Sequence, residues 1–357
     1  MGTNKKLLTL LRGACGCHFS KFCNFAILHS MKKMCLFFYA TSIALLLFAS
    51  CSSTEDKSKE KNDSSVQTPA TEPEGLAIFR KAYPDITFVS RYDEANEDWR
   101  IQVTVPSKPQ VSDTYSHDAY EDGSTYIFYW ADGALIPEEE LKNRDQYWTL
   151  LYRYEKELAD PALFTPEQTE QIANFGSTEN RTSGAGTPMF FFDALYDSSS
   201  RASLEAHITR VSFLGRSMNV HERIVTPLKK VENRINEEAK TDSEVQYFKT
   251  HISSLGAYSW RIISGTNRKS FHSLGIAIDI QPTSLGGKAI YWEWEKERNP
   301  NGWMLIPLSK RWMPPQKVID IFEEEGFIWG GKWIIFDNMH FEYHPELILF
   351  SGIGGAE

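Results

Sequence analysis

Between residues 221 and 239 the apolar positions Ile224, Leu228, Val231 and Ile235 recur three or four residues apart. That spacing predicts one face of an amphipathic helix. Residues 318–325 predict another helix, ended by Gly326. Residues 76–83 predict a short one stopped by Pro84, and residues 204–214 a further one. Thr165-Pro166-Glu167-Gln168 reads as a helix start, with Thr165 as cap and Pro166 in the first turn. Elsewhere the period drops to two. Residues 86–90 and 99–105 predict strands, and residues 125–130 and 134–136 the arms of a hairpin around Ala131-Asp132-Gly133. Ile276, Ile278 and Ile280 alternate with Ala277 and Asp279, so residues 276–280 predict a strand with one apolar face. Helices mixed with short strands indicate an α+β fold. No internal repeat is present.

The N-terminal pattern is different. Lys32 and Lys33 precede an apolar run from residue 35 to residue 49. About 15 residues is short for a membrane span, which needs roughly 20, but suits the apolar region of a secretory signal. The run closes on Leu47-Phe48-Ala49-Ser50-Cys51, small residues before a cysteine, as at a bacterial lipoprotein cleavage site. Residues 1–51 are therefore expected to be a lipoprotein signal segment with Cys51 lipidated. An uncleaved anchor is the alternative, and Met31 is a candidate true start. Residues 52–75 are polar and charged, cannot bury a core, and are expected to be a flexible tether. The body is expected outside the cytoplasm, anchored in a membrane and facing the periplasm or cell exterior. Residues 76–200 form an N-terminal region of no evident role, and residues 201–357 a second, C-terminal domain.

Composition sharpens this. All five cysteines of the 357-residue chain lie in the first 51 residues. The body therefore has no disulfide scaffold, no cysteine nucleophile and no thiolate metal site. A metal there must use His, Asp or Glu. Residues 1–50 hold six of the 38 Lys and Arg and none of the 47 Asp and Glu, leaving the remainder at a net charge of −15. Such a body is ill suited to a phosphate backbone, and no nucleic-acid partner is expected.

Two segments carry candidate chemistry. One is Ser270-Phe271-His272-Ser273-Leu274-Gly275-Ile276-Ala277-Ile278-Asp279. In one straight strand His272 and Asp279 would lie roughly 23 Å apart on opposite faces. They reach a common metal only if the chain bends, and Gly275 permits a bend. The other is Trp329-Gly330-Gly331-Lys332-Trp333, followed by Asp337-Asn338-Met339-His340-Phe341-Glu342. Here His340 and Glu342 share a strand face, with Asp337 on the approach. Each segment alone is weak, since an ordinary core strand shows the same alternation. Together, in this order, they weigh more.

In combination they resemble the VanY-type D-alanyl-D-alanine carboxypeptidases and the related L-alanyl-D-glutamate endopeptidases. The pattern S-x-H-x-x-G-x-A-x-D is met by Ser270, His272, Gly275, Ala277 and Asp279, and an acidic-x-x-His element by Asp337 and His340. The endopeptidase element G-F-x-W-G-G-x-W is met from Gly326 to Trp333. The resemblance covers residues 258–343. It implies a small antiparallel sheet with flanking helices carrying a zinc site. His272, Asp279 and His340 would be the ligands and Asp337 the catalytic base. Zn2+ would be the cofactor and peptidoglycan stem peptides the substrate. It also implies an upstream Arg facing the oxyanion, with Arg261 the candidate and Arg268 the reserve.

Other residues have weaker claims. Ser270 either bonds substrate or a ligand, or caps its turn. Glu342 is expected to orient a ligand, with a solvated strand residue as the alternative. Trp329 and Trp333 line a peptide groove or simply pack. His344 shares the face of His340 and is an alternative ligand. His117, His207, His221 and His251 have no partner pattern. Trp292, Trp294, Trp303 and Trp312 are expected in the core or a lid. Trp-Gly-Gly-x-Trp and Asp at 337 favour the endopeptidase branch over the D,D-carboxypeptidase one. A non-catalytic cell-wall-binding lipoprotein that keeps the fold is the alternative from another class.

Overall fold

The first described helix, α1 (Gly75–Ala82), buries Leu76 and Phe79 and ends at Tyr83, before Pro84. The computed structural model describes residues 71–107 and 123–353. The expected signal segment, Cys51, residues 52–70 of the tether and His117 lie outside them. Glu72, near the end of the expected tether, pairs with Arg80 of α1 at 2.9 Å. Strands β1 (Thr87–Asp93), β2 (Asp98–Pro106) and β3 (Gly123–Tyr129) form an antiparallel sheet in chain order. The chain after β3 folds back so that Ile136 bridges Tyr129, the arm expected around Ala131-Asp132-Gly133.

Short helices follow: α2 (Pro166–Phe175), α3 (Thr178–Ser183), α4 (Phe190–Leu195) and α5 (Arg201–Glu205). Thr165 and Gln168 close a reciprocal capping box at the start of α2. The helix expected over 204–214 is not formed. The chain leaves α5 and enters β4 (Ile208–Phe213), which pairs with β5 (Arg216–His221). The hairpin turn is Leu214-Gly215, both at positive φ. That turn matches strand twist and overrides the run of apolar residues. The amphipathic segment from 221 starts later than its spacing suggested. His221 ends β5, and helix α6 (Val225–Glu238) buries Leu228, Val231 and Ile235.

Helix α7 (Ser243–Thr250) leads into β6 (Ile252–Gly256). Strands β7 (Ala277–Pro282), β8 (Phe327–Trp329) and β9 (His340–Tyr343) complete an antiparallel sheet in the order β6-β7-β9-β8. Helices α8 (Trp292–Arg298), α9 (Gln316–Glu324) and α10 (Pro345–Ser351) flank it. The fold is α+β. Ile278 and Ile280 point into the core and Phe341 stacks on Phe322 of α9 at 4.0 Å, while Asp279, His340 and Glu342 share the other face. The described residues from Glu72 onward fall in one compact unit. Its main apolar cluster runs from Leu76 and Phe79 through Phe191 and Val231 to Ile278 and Phe341. No helix among the described residues is long and apolar enough to cross a membrane.

Candidate metal centre

His272 sits in a 3-10 turn, Phe271–Leu274, capped by Ser270, whose Oγ accepts from the His272 N–H at 3.2 Å. The turn ends at Gly275 with φ 70°. A side chain there would be strained, and its Cβ would fall 2.7 Å from Ile208 Cδ1 and 2.8 Å from His221 N. The bend delivers the chain into β7. Asp279 of β7 is in register with His340 of β9. His272, Asp279 and His340 thus converge, each offering one ligand atom, all within 4.8 Å of one another.

The outer partners set which nitrogen each ring offers. His272 Nδ1–H donates to the carbonyl of Ala257 at 2.6 Å. Its Nε2 is buried without a hydrogen-bond partner and lies 3.2 Å from Asp279 Oδ2. His340 Nε2–H donates to Glu342 Oε1 at 2.8 Å, and its Nδ1 lies 2.8 Å from Asp279 Oδ1. Each ring therefore has one nitrogen anchored outward and the other turned to the same carboxylate. A buried orphan nitrogen, a second inward nitrogen and a carboxylate between them fit a divalent cation with nitrogen and oxygen ligands, zinc among them. Burial opposes charge on Asp279, but the His272 and His340 rings beside it hold its carboxyl well below the usual carboxylate range.

Asp337 lies at the mouth of the turn into β9, where Tyr291 and Asp337 form an antiparallel bridge. Its N–H donates to the carbonyl of Gly330 at 3.0 Å. Its Oδ1 is buried without a partner. Burial pushes this carboxyl up to about 7; His340 opposes the rise and Asp279 adds to it. Trp329 is fully buried beneath this turn, packed against the core, and Trp333 reaches the cleft instead.

The centre opens into a cleft of about 660 Å³. Arg261 and Arg268 both line it. Arg268 is engaged with the protein: it donates to the carbonyl of Gly184 at 2.8 Å and lies 4.9 Å over the Trp148 ring. Arg261 is exposed, and its N–H is held by Ser273 Oγ at 2.8 Å. His344 is buried with both nitrogens directed at carboxylates, Nδ1 at Glu346 (2.7 Å) and Nε2 at Glu342 (3.3 Å), so it turns no lone pair to a metal. His221 stacks on His207 and donates no ligand atom to the centre. Trp292 and Trp303 pack on each other in a second apolar cluster, while Trp294 is 40% exposed and lines the cleft. Sequence reasoning missed Trp148, Arg181 and Met189 as cleft residues. They come from the N-terminal region, and no local motif marks them.

Residues 264–343 match the model of a family described as D-alanyl-D-alanine carboxypeptidase. The chain is also 34% identical over 79 residues to the peptidoglycan L-alanyl-D-glutamate endopeptidase CwlK of Bacillus subtilis (strain 168). Over this stretch the chain is similar to the VanY-type family. The match to CwlK covers 22% of this chain and 41% of the relative. No solved structure matches the chain. The matched segment contains His272, Asp279, Asp337 and His340, together with the turns that carry them. The Ala257 carbonyl that orients His272 lies just before it.

Proposed function

We propose that this chain is a zinc metallopeptidase that hydrolyses an amide bond in peptidoglycan stem peptides, with L-alanyl-D-glutamate endopeptidase specificity. The observation that carries the reading is the inward turn of His272 Nε2 and His340 Nδ1 onto Asp279, each fixed from behind by Ala257 or Glu342. His272, Asp279 and His340 would hold the zinc. When bound, it supplies Lewis acidity at the scissile carbonyl. Asp337 takes the proton of the attacking water at its carboxylate and returns it to the leaving amine. A carboxyl lifted toward neutral pH is suited to both directions of transfer. Arg261 faces the cleft, where its charge would meet the oxyanion as it develops. The likeness to an endopeptidase, Trp-Gly-Gly-x-Trp and Asp at 337 support the endopeptidase branch.

Digestion of purified peptidoglycan by the zinc-loaded protein tests this. New L-alanine carboxyl ends are expected. Free D-alanine would move the chain to the D,D-carboxypeptidase branch. No new ends, with no stoichiometric zinc in the protein, would sink the enzyme reading in favour of a cell-wall-binding role.

Membrane anchoring through lipidated Cys51, with residues 52–75 as tether and an exported location, belongs to the same reading and rests on the sequence pattern alone. Labelling of expressing cells with a radioactive fatty acid should mark the wild type and not Cys51→Ala.

A further inference from the structure

The face of β9 that carries His340 continues beyond it. His340 and Glu342 alternate on the strand, His344 follows just past its end, and Glu346 lies in the first turn of α10. All four are buried, Glu346 completely. They form one unbroken chain of contacts. His340 Nε2–H donates to Glu342 Oε1 at 2.8 Å. His344 Nε2 lies 3.3 Å from Glu342 Oε2, and His344 Nδ1–H donates to Glu346 Oε1 at 2.7 Å. The far oxygen of Glu346 accepts the Tyr83 hydroxyl at 2.6 Å. Tyr83 closes α1, 263 residues earlier in the chain. The rings of Phe192 and Phe271 stand edge-on to His344 at 5.4 and 4.7 Å and keep it from turning.

Stability alone does not call for these groups. Buried ion pairs replaced by apolar side chains of like volume often leave a protein equally or more stable. Their placement has a different use. The terminal torsion of a glutamate is broad, so a carboxylate bonded at one oxygen is free to swing. Glu342 is held at both, by His340 on one side and His344 on the other. His344 is held in turn by Glu346, and Glu346 by Tyr83.

We propose that His344, Glu346 and Tyr83 are positioning residues that fix Glu342, and through it the direction of His340 Nδ1 toward the metal. This rests on His340 being a zinc ligand. Tyr83 then ties α1 to the metal centre through its phenol.

The test measures zinc affinity on the full chain stripped with chelator, by competition with a chromophoric chelator. The wild type, His344→Gln and Tyr83→Phe are compared, with thermal unfolding of each stripped protein. His344→Gln is expected to weaken zinc binding about 10- to 100-fold, the range for lost outer partners of metal-binding histidines. Tyr83→Phe should weaken it several-fold while unfolding within a few degrees of the wild type. The visible absorption of the cobalt-loaded protein should shift in both. Unchanged affinity and an unchanged cobalt spectrum in folded His344→Gln would overturn the proposal. Should that variant not fold, the same two readings unchanged in Tyr83→Phe would overturn it. A wild type that takes up no stoichiometric zinc would instead sink the assignment of His340 itself.

Discussion

The indole N–H of Trp329 donates to the backbone carbonyl of Asn338 at 2.9 Å, from a ring that is fully buried. Asn338 follows Asp337, so this bond pins the turn that presents the carboxylate. Gly330 holds the same turn from the other side, its carbonyl accepting from the Asp337 N–H. The Trp-Gly-Gly-x-Trp element is thereby the support on which Asp337 rests.

Gly331 is the weak point of that support. A Cβ there would fall 2.1 Å from the Trp329 ring, and one at Gly330 2.7 Å from the Asp337 carbonyl. Gly331→Ala should displace the indole, cost about 1–3 kcal/mol as overpacking does, and lower peptide hydrolysis at least tenfold. Denaturant unfolding and a turnover assay check both parts. Full activity in this variant would dissociate the motif from Asp337.

Asp337→Asn should remove proton transfer and lower kcat about 10²- to 10⁴-fold, with zinc content unchanged. It should also stabilise the metal-free chain at neutral pH. A carboxyl whose folded pKa is raised binds its proton more readily in the folded state. Stability then falls as pH rises from the usual carboxylate range to about 7. An amide escapes that loss. Melting curves of the stripped proteins at pH 5 and pH 8 should lie closer together at the lower pH and further apart at the higher.

Zinc removal should lower the melting temperature of the wild type, because a ligand that binds only the folded chain stabilises it by mass action. His272→Ala should melt at the same temperature with or without chelator. A chelator-insensitive wild type would argue against His272, Asp279 and His340 as a resident metal site.

His221 gives the fold an acid-sensitive point outside the ligand set. It is 2% exposed, accepts from the Arg223 N–H at Nδ1 and sits 3.2 Å from the Tyr196 carbonyl at Nε2. Burial, with Arg223 and His207 nearby, brings its pKa down to about 3. The unfolded chain protonates this ring near pH 6.5, so its contribution is complete above that value. It is lost as pH falls toward 3, with a slope of up to about 1.4 kcal/mol per pH unit. His221→Asn should flatten the stability profile in that window, as measured by denaturant unfolding at stepped pH.

Lys332, inside Trp-Gly-Gly-Lys-Trp, is 6% exposed and pairs with Glu323 of α9 at 2.6 Å. Tyr154 also donates to Glu323, at 2.6 Å, and accepts the Trp329 N–H at 2.9 Å. Lys332→Met leaves a buried carboxylate short of its cation and should cost about 3–5 kcal/mol. The double variant Lys332→Met, Glu323→Gln should recover much of that loss.

The centre was legible in the sequence because its signals are local. Gly275 takes the bend that lets His272 and Asp279 approach, and Ile278 and Ile280 form the apolar face opposite Asp279. The alternation from His340 to His344 marked one face of β9. It did not show that His344 faces two carboxylates, because Glu346 arrives from a helix and Tyr83 from the other end of the chain. The 204–214 segment misled for the opposite reason. Its apolar content was read without the Leu214-Gly215 turn, whose backbone geometry decides for a hairpin. Ala257, Tyr154 and Trp148 act through a carbonyl, a hydroxyl and a ring face brought in from a distance, and no periodicity encodes that.

The segment that can be matched to relatives and the segment that can fold are different lengths of chain. The match begins at residue 264, yet Ile252–Gly256 is an edge strand of the same sheet and Ala257 sets the ring of His272. A recombinant piece cut at the border of similarity would lose that strand and that carbonyl. It would also uncover Ile278, Phe322 and Phe341, which share their apolar cluster with Leu76, Phe79 and Phe191. Grafting this centre onto another protein therefore means carrying its distant surroundings with it.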